Sequence, residues 1–415
     1  MSLDTQKKLT LLSINNYFYR RGGAEFVFLE QNRLFEEIGW QIVPFAMQHP
    51  KNNPSKWSDF FIKEIEFGEQ YSLVNKLLRV PKVIYSTEAK NNLKRLLNQV
   101  KPDICHAHNI YHHISPSILR VLNQQNIPTV ITLHDLKIAC PAYKMLTHDG
   151  ICERCNTGNL MNVIKHKCIK NSRSLSSVVY LEAAFNKFIG SYVNNVSKFV
   201  VPSKFYLEKF VEWGFNRDQF IHIPNFIDIA KYTPDFTAGN HFVYFGRLGH
   251  EKGLETLIKA SALAKAPLTI VGSGPEEEKL KKLAFDLDIH VDFLGYQSGD
   301  NLHNAIRSAR AVVLPSEWYE NAPISIMEAY ALGVPVIGAN IGGIPELIKE
   351  EETGFTFTSG SVDSLSTALR KMTDKTDSEI ESMGKKGYQW VHAEFTSDLF
   401  RQRLLSLYAS LGVQN

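Results

Sequence analysis

Five short apolar runs, near 9–14, 40–47, 103–107, 129–133 and 198–202, alternate with longer segments of helical periodicity. A second set follows near 241–245, 268–272, 291–295, 311–314 and 335–338. Strands that alternate with helices must be connected by crossovers, and crossovers cover both faces of a sheet, so the pattern predicts parallel, doubly wound α/β units. Two sets predict two such units facing each other across a cleft, with ligands at the carboxyl ends of the strands. At 415 residues and 44% apolar content, the chain can bury two cores of ordinary domain size. The linker is expected near 205, after VVPSKF, and PNFID (224–228) reads as the entry into the second unit.

The densest chemistry lies in SEWYENAPISIMEAYALGVPVIGANIGGIPEL (316–347). Pro323 disfavours helix at Ala322 and suits the first turn of a helix over about Ile324 to Leu332, which puts Glu320 in the preceding loop and Glu328 inside the helix. The unpaired N–H groups and positive dipole end of that helix suit phosphate or sugar oxygens. Ionised carboxylates accept hydrogen bonds only, so Glu320 suits sugar hydroxyls and Glu328 the two hydroxyls of a ribose. Gly333 is expected to end the helix, and a buried strand then leads to Gly342 and Gly343, which allow unusual backbone turns. Taken alone, two glutamates eight residues apart are better explained by a solvated helix start.

In context, E-x7-E followed by GG-x-P-E resembles the family-4 retaining glycosyltransferases of the GT-B fold. Upstream, VYFGRLGHEKGLETLIKA (243–260) is similar to that family's strand, basic loop and helix for the donor diphosphate, and LTIVGSGPEEEKL (268–280) adds a strand and a glycine turn. The resemblance covers nearly the whole chain. It implies a donor site made by Gly22, Gly23, Arg247, Lys252, Gly272, Asn321, Ala322, Ile324 and Glu328. Arg247 and Lys252 would carry the charge that grows on a departing nucleotide diphosphate, the guanidinium as a planar fork and the ammonium as a point charge. Glu320 is expected to position the sugar and not to attack it, with same-face attack assisted by the leaving phosphate. A covalent intermediate stays open.

In the first unit, NNYFYRRGGAEFVFLEQ (15–31) places Gly22 and Gly23 between a strand and a helix, with Glu25 reading as a dipole-complementing residue. TLHDLKIACP (132–141) puts His134 and Asp135 at a strand end, and His134 matches the histidine that the family directs at the transferred sugar. His134 is therefore expected to act with Glu320 in catalysis, and Asp135 to orient its neighbours. In CHAHN (105–109), His106 and His108 alternate across a strand, so one of them faces the cleft; His108 and Asn109 join Asp135 as acceptor-side candidates.

Four of the five cysteines, Cys140, Cys152, Cys155 and Cys168, fall in one insertion with a central C-x2-C. Four thiolates fit a structural zinc, and an iron–sulfur cluster would use the same ligands; disulfides or unconnected thiols are the other readings. Nearby Lys165, Lys167 and Lys170 favour thiolate character. No organic cofactor is expected, and no divalent cation for the transfer itself.

Charge divides unevenly. Residues 1–200 hold 25 Lys+Arg against 15 Asp+Glu, and residues 201–415 hold 21 against 28, within a net charge of +3. The basic, apolar-rich stretch 75–97 reads equally as a membrane-interface segment or a solvated helix face. No nucleic-acid motif accompanies the basic half. No secretory signal or membrane-spanning run is read, which gives an expectation of a cytoplasmic protein, peripheral at the inner membrane face where it meets a lipid. The expected activity is transfer of a hexosyl group, with retention, from a uridine or guanosine diphosphate sugar to a carbohydrate or lipid-linked alcohol. A nucleotide-sugar 2-epimerase and a non-catalytic sugar-nucleotide-binding protein are the alternatives. The last helix, about 396–415, is expected by resemblance to return to the first domain through Phe400, Leu404, Leu405 and Tyr408.

Overall fold

The computed structural model describes residues 8–64, 84–147 and 149–414. They form two compact units, the first comprising residues up to Pro202, Tyr206–Ile223 and the C-terminal stretch from Arg401, the second Ser203–Phe205 and Pro224–Phe400.

The first unit is built on a six-stranded parallel sheet in the order β2-β1-β3-β4-β7-β8. Its strands are β1 (Thr10–Ile14), β2 (Gln41–Phe45), β3 (Ile104–Ala107), β4 (Thr129–Thr132), β7 (Lys198–Val201) and β8 (Phe220–His222); a short antiparallel hairpin, β5 (Leu146–Thr147) and β6 (Gly150–Ile151), stands apart from it. β1, β3 and β4 are buried along their whole length, as expected of strands covered on both faces. The second unit repeats the plan, with six parallel strands in the order β11-β10-β9-β12-β13-β14. These are β9 (Phe242–Phe245), β10 (Leu268–Val271), β11 (Val291–Gly295), β12 (Ala311–Leu314), β13 (Val336–Ala339) and β14 (Gly354–Phe357). Val243, Ile270, Val312 and Ile337 lie at the centre of its core with no exposed surface.

The strand order fixes where chemistry can gather. Successive connections leave β1 toward opposite edges, as they leave β9, so a crevice opens between β1 and β3 in one sheet and between β9 and β12 in the other. The loops that follow those four strands carry Gly22, His108, Lys252 and Glu320, while His134 follows the neighbouring β4 and Gly272 the neighbouring β10.

Several local expectations change. Ser203–Phe205, at the boundary expected near 205, belong to the second unit, but the chain then returns to the first and passes over for good only at Ile223/Pro224, because Phe220–His222 pairs in parallel with Phe199–Val201 and so stays with the first sheet. β8 and β14 were not expected; three residues after a turn, and a four-residue run that opens on glycine, are too short for a period to show. Pro323 is the residue before the helix Ile324–Ala331 and has extended ψ, so it caps the helix and does not lie inside its first turn. In the last helix, Ser397–Ser410, the buried face is Phe400, Leu404, Leu407 and Tyr408, with Leu405 turned partly outward. Of the basic stretch 75–97, residues 75–83 lie outside the described residues; the remainder includes the helix Thr87–Leu97, which buries Ala89, Leu93 and Leu96.

Candidate active site

In the second unit the β9 loop and the β12 loop meet across the crevice. Lys252, which follows β9, places Nζ 2.6 Å from Oε1 of Glu320, which follows β12. Ser316 Oγ donates to the same carboxylate oxygen at 2.8 Å. Burial alone would raise the Glu320 pKa, but the Lys252 charge, with hydrogen bonds from Lys252, Trp318 and Ser316, outweighs it and leaves the carboxyl below its ordinary value. Glu320 is therefore an anion held in a nearly closed site, a geometry for accepting hydroxyl hydrogen bonds. Arg247 pairs with Glu251 and keeps 52% of its side chain exposed, so its guanidinium stands at the rim of the loop.

Glycines let these loops approach. Gly272, at the end of β10, has φ +138, and a Cβ there would lie 1.9 Å from the carbonyl oxygen of Gly246 at the end of β9. Gly342 has φ +61 and packs on Glu320, where a Cβ would meet the Glu320 carbonyl at 2.3 Å. The Gly343 N–H donates to that same carbonyl at 2.8 Å, so the glycine pair fixes the Glu320 backbone. Asn321 accepts from Ser203 Oγ at 2.8 Å, and Asn225 donates to the Ala322 carbonyl at 2.8 Å. These two bonds hold the chain just before Ile324, whose helix has no side-chain cap. Glu328 lies one turn in, half-buried, and accepts from Tyr232 Oη at 3.0 Å.

In the first unit, three imidazoles stack in a ladder. The His106 and His108 rings lie 5.0 Å apart at 14°, and His108 and His134 5.1 Å apart at 16°. His108 Nδ1 is 2.8 Å from His134 Nε2. His106 is fixed at both nitrogens, Nδ1 2.5 Å from Tyr408 Oη and Nε2 2.7 Å from Thr132 Oγ1. Burial lowers all three pKa values, to about 4 for His134 and about 3 for His106, so the ladder is neutral at physiological pH. His106 and His108 are two residues apart and so project from the same face, with their rings stacked and both fully buried, which corrects the expectation that alternation turns one of them to the cleft. Asn109 donates its N–H to Asn15 Oδ1 at 3.1 Å, which ties the β3 loop to the β1 loop. Gly22 precedes the helix Gly23–Glu37 in extended conformation, and Glu25, buried in the first turn, has its pKa raised by that burial.

A family model described as Glycosyltransferase Family 4 matches residues 21–231, half of the chain, and one described as Glycosyl transferases group 1 matches residues 229–390. The chain belongs to glycosyltransferase family 4. It is 30% identical over 233 residues to GDP-mannose-dependent monoacylated alpha-(1-6)-phosphatidylinositol monomannoside mannosyltransferase of Corynebacterium glutamicum, a match covering 50% of this chain and 61% of that protein, less than two thirds of its length. N-acetyl-alpha-D-glucosaminyl L-malate synthase of Bacillus anthracis is 24% identical over 397 residues, 93% of each protein. Sucrose-phosphate synthase of Thermosynechococcus elongatus superposes with a TM-score of 0.72 at 20% identity, over 98% of this chain and 99% of that one, and shares the GT-B fold. Membership in a family of transferases gives no support to the 2-epimerase alternative.

Other charged groups of this family-4 chain escaped the sequence. Lys137 and Glu182 form a buried ion pair at 2.8 Å, joined by His112 Nδ1 at 3.1 Å. Burial pushes the Glu182 pKa up, but Lys137 and His112 more than offset it and hold the carboxyl near 2. The Lys137 N–H also caps Asp135 Oδ1 at 2.9 Å, yet burial still lifts the Asp135 pKa to about 6. The only legible trace of this network was Lys137 itself, two residues beyond the His-Asp pair; Glu182 comes from a helix more than forty residues later. The four insertion cysteines are free thiols. Burial raises the pKa of Cys155 to about 12 and of Cys168 to about 11, and each is raised further by the other thiols around it. Among the described residues, the metal-type group with ligand atoms mutually within 4.8 Å is His250, Glu255 and Glu276, and Lys279 pairs with both of those glutamates.

Proposed function

We propose that the protein is a retaining hexosyltransferase that uses a nucleotide diphosphate sugar and a lipid-linked saccharide or surface-polysaccharide precursor. The observation that carries the donor half is the Lys252–Glu320 pair beside the uncapped start of the helix Ile324–Ala331. Lys252, Arg247 and the helix N–H groups suit the diphosphate, Glu320 the sugar hydroxyls and Glu328 the ribose. In the reaction the bond from the anomeric carbon to the diphosphate oxygen breaks, and the nucleotide diphosphate leaves with the electron pair. The acceptor oxygen bonds to the same face, and its proton passes to a departing phosphate oxygen. Lys252 and Arg247 stabilise the developing anion, so no divalent cation is assigned to this step. His134, neutral, offers its free ring nitrogen to the sugar. The Corynebacterium relative is named for a GDP-mannose donor and a phosphatidylinositol-based acceptor, which supports a lipid-borne acceptor here.

Contact with an anionic bilayer surface is part of this reading. On the helix Arg173–Phe188, Leu181, Phe185 and Phe188 share one exposed side, with Phe188 89% exposed, and Ile189 and Val193 extend it. Lys165, Lys167, Lys170 and Arg173 precede these residues along the chain, and Lys187 lies among them. Apolar side chains bordered by cations suit the interface of an anionic membrane. No helix among the described residues is long and apolar enough to cross one.

The cysteine insertion is assigned a structural metal, zinc before an iron–sulfur cluster. Tetrahedral zinc–thiolate bonds of about 2.3 Å bring sulfurs to about 3.8 Å of one another. No three of these sulfurs lie mutually within 4.8 Å, so binding would draw the loop inward. Elemental analysis of protein purified without added metal should find about one zinc per chain; free thiols and no metal would remove the assignment.

The transferase reading is tested by incubating purified protein with uridine and guanosine diphosphate sugars, with and without a membrane-lipid extract. Acceptor-dependent release of one nucleotide is expected. Tight nucleotide binding with no release in any mixture would favour a non-catalytic binding protein.

A further inference from the structure

A cavity of about 610 Å³ lies within the first unit, between the cysteine insertion, the helix Arg173–Phe188 and the segment 213–219. That volume falls in the range of small-molecule sites. Its polar side chains are largely committed to one another. Lys137 is satisfied by Glu182 and by the Pro141 carbonyl, both at 2.8 Å. Asn186 donates to the Glu182 carbonyl at 2.9 Å and accepts from Ser191 at 2.7 Å, while Gln219 donates to the Val193 carbonyl at 3.1 Å. What the cavity offers a guest is therefore mainly apolar surface, from Leu160, Ala183, Val193, Trp213 and Phe215. One polar group stands apart: the indole Nε1 of Trp213 is buried and has no hydrogen-bond partner. That nitrogen is covered by protein on every side, so a guest would be held by contact with the apolar lining and not through it.

Two placements indicate the guest. Val193 lines the cavity and is 46% exposed, continuous with the apolar stripe that ends in Phe188 and Ile189. Lys137 also lines the cavity, and its backbone N–H is bonded to Asp135, next to His134. The cavity thus connects an apolar surface to the strand end that holds the histidine ladder.

We propose that this cavity holds the hydrocarbon chain of the lipid that carries the acceptor, packed against its apolar lining. This rests on the lipid-linked acceptor of the proposed function and adds where the lipid is bound.

Farnesyl phosphate, a short soluble chain-bearing phosphate, is the probe, titrated into the full-length protein by calorimetry and tryptophan fluorescence, with inorganic phosphate as control. One site per chain is expected, with no comparable binding of phosphate. Ala183→Phe, which fills the cavity, and Val193→Trp, at its half-exposed rim, should each weaken binding tenfold or more while leaving nucleotide binding unchanged. Trp213→Phe should abolish most of the fluorescence change. Absence of farnesyl phosphate binding, or equal affinity in a folded Ala183→Phe and Val193→Trp, overturns the proposal. Transfer to a lipid-free acceptor by a protein that does not bind the probe would sink the cavity assignment and keep the transferase. Binding that both variants weaken, in a protein with no transfer activity, would uphold the cavity and count against the transferase.

Discussion

His108 and His134, from the ends of adjacent strands, share a hydrogen bond of 2.8 Å between Nδ1 of one and Nε2 of the other. That bond occupies one nitrogen of His134 and leaves Nδ1 as the atom available to a ligand. In the proposed transfer His134 is thus the contacting residue and His108 the positioning one. His134→Ala should lower turnover by about 10²-fold, the scale for losing one preorganised donor, with nucleotide affinity retained. His108→Ala should lower kcat less and leave the donor KM unchanged, whereas a purely structural role would move only the melting temperature. Unchanged turnover in folded His134→Ala would remove its assignment.

The buried ladder also sets an acid limit. Folding lowers the pKa of His134 to about 4 and of His106 to about 3, from ordinary values near 6.5, so the unfolded chain binds more protons in between. Stability from these groups is complete above about pH 6.5 and is lost progressively as pH falls toward 3. Denaturant midpoints measured from pH 7 to pH 4 should fall in the native protein, and more shallowly in His134→Ala.

Lys252 and Glu320 should behave as one unit. Lys252→Met leaves the largely buried Glu320 carboxylate without its counter-charge, and Glu320→Gln leaves the ammonium without its partner. In a double-mutant cycle read by chemical denaturation, the two changes should be non-additive by about 2 kcal/mol. Each single variant should also weaken donor binding. Additive effects would show that the pair contributes nothing beyond its separate residues.

The sequence exposed what repeats or has a period, and hid what is assembled from afar. All ten expected strands are present, most of them because buried parallel strands are written as apolar runs and the edge strand Val291–Gly295 because its residues alternate in exposure, and Gly333 and Gly342 have the positive φ that their turns require. Glu320 and Glu328 fall in the loop and the helix that Pro323 separates. The partners of these residues were not legible: Glu320 meets Lys252 across 68 residues, and His106 meets Tyr408 across 302. Such contacts follow from strand order, which local periodicity does not encode. The Lys137–Glu182 pair was invisible for the same reason. Leu405 was expected in place of Leu407, because in a short helix both leucines border the stripe through Phe400, Leu404 and Tyr408.

Gly272 tests the close approach of the two loops. Its φ of +138 disfavours any side chain, and an added Cβ would sit 1.9 Å from the Gly246 carbonyl, which is backbone and cannot rotate away. Gly272→Ala should therefore destabilise the protein by about 3 kcal/mol, combining backbone strain and overpacking. Gly214, with φ +85 and open space around its Cβ position, is the control: alanine there should cost the strain alone and so less. Equal losses at the two positions would show that the contact with Gly246 is not tight.

Glu328 separates nucleotide recognition from chemistry. Its carboxylate is held by Tyr232 Oη at 3.0 Å, one turn into a helix whose first N–H groups are uncapped by any side chain. Hydrogen bonds to a charged group contribute about 1.5–3 kcal/mol, so Glu328→Ala should weaken nucleotide affinity by roughly 10- to 100-fold. Tyr232→Phe, which removes that hydrogen bond and keeps the carboxylate, should weaken affinity less. Because a ribose contact is equal in ground and transition states, kcat at saturating donor should be nearly unchanged in both variants. Direct titration with uridine and guanosine diphosphates, alongside kcat, checks this. A fall in kcat with unchanged affinity would move Glu328 from the ribose to the reacting sugar.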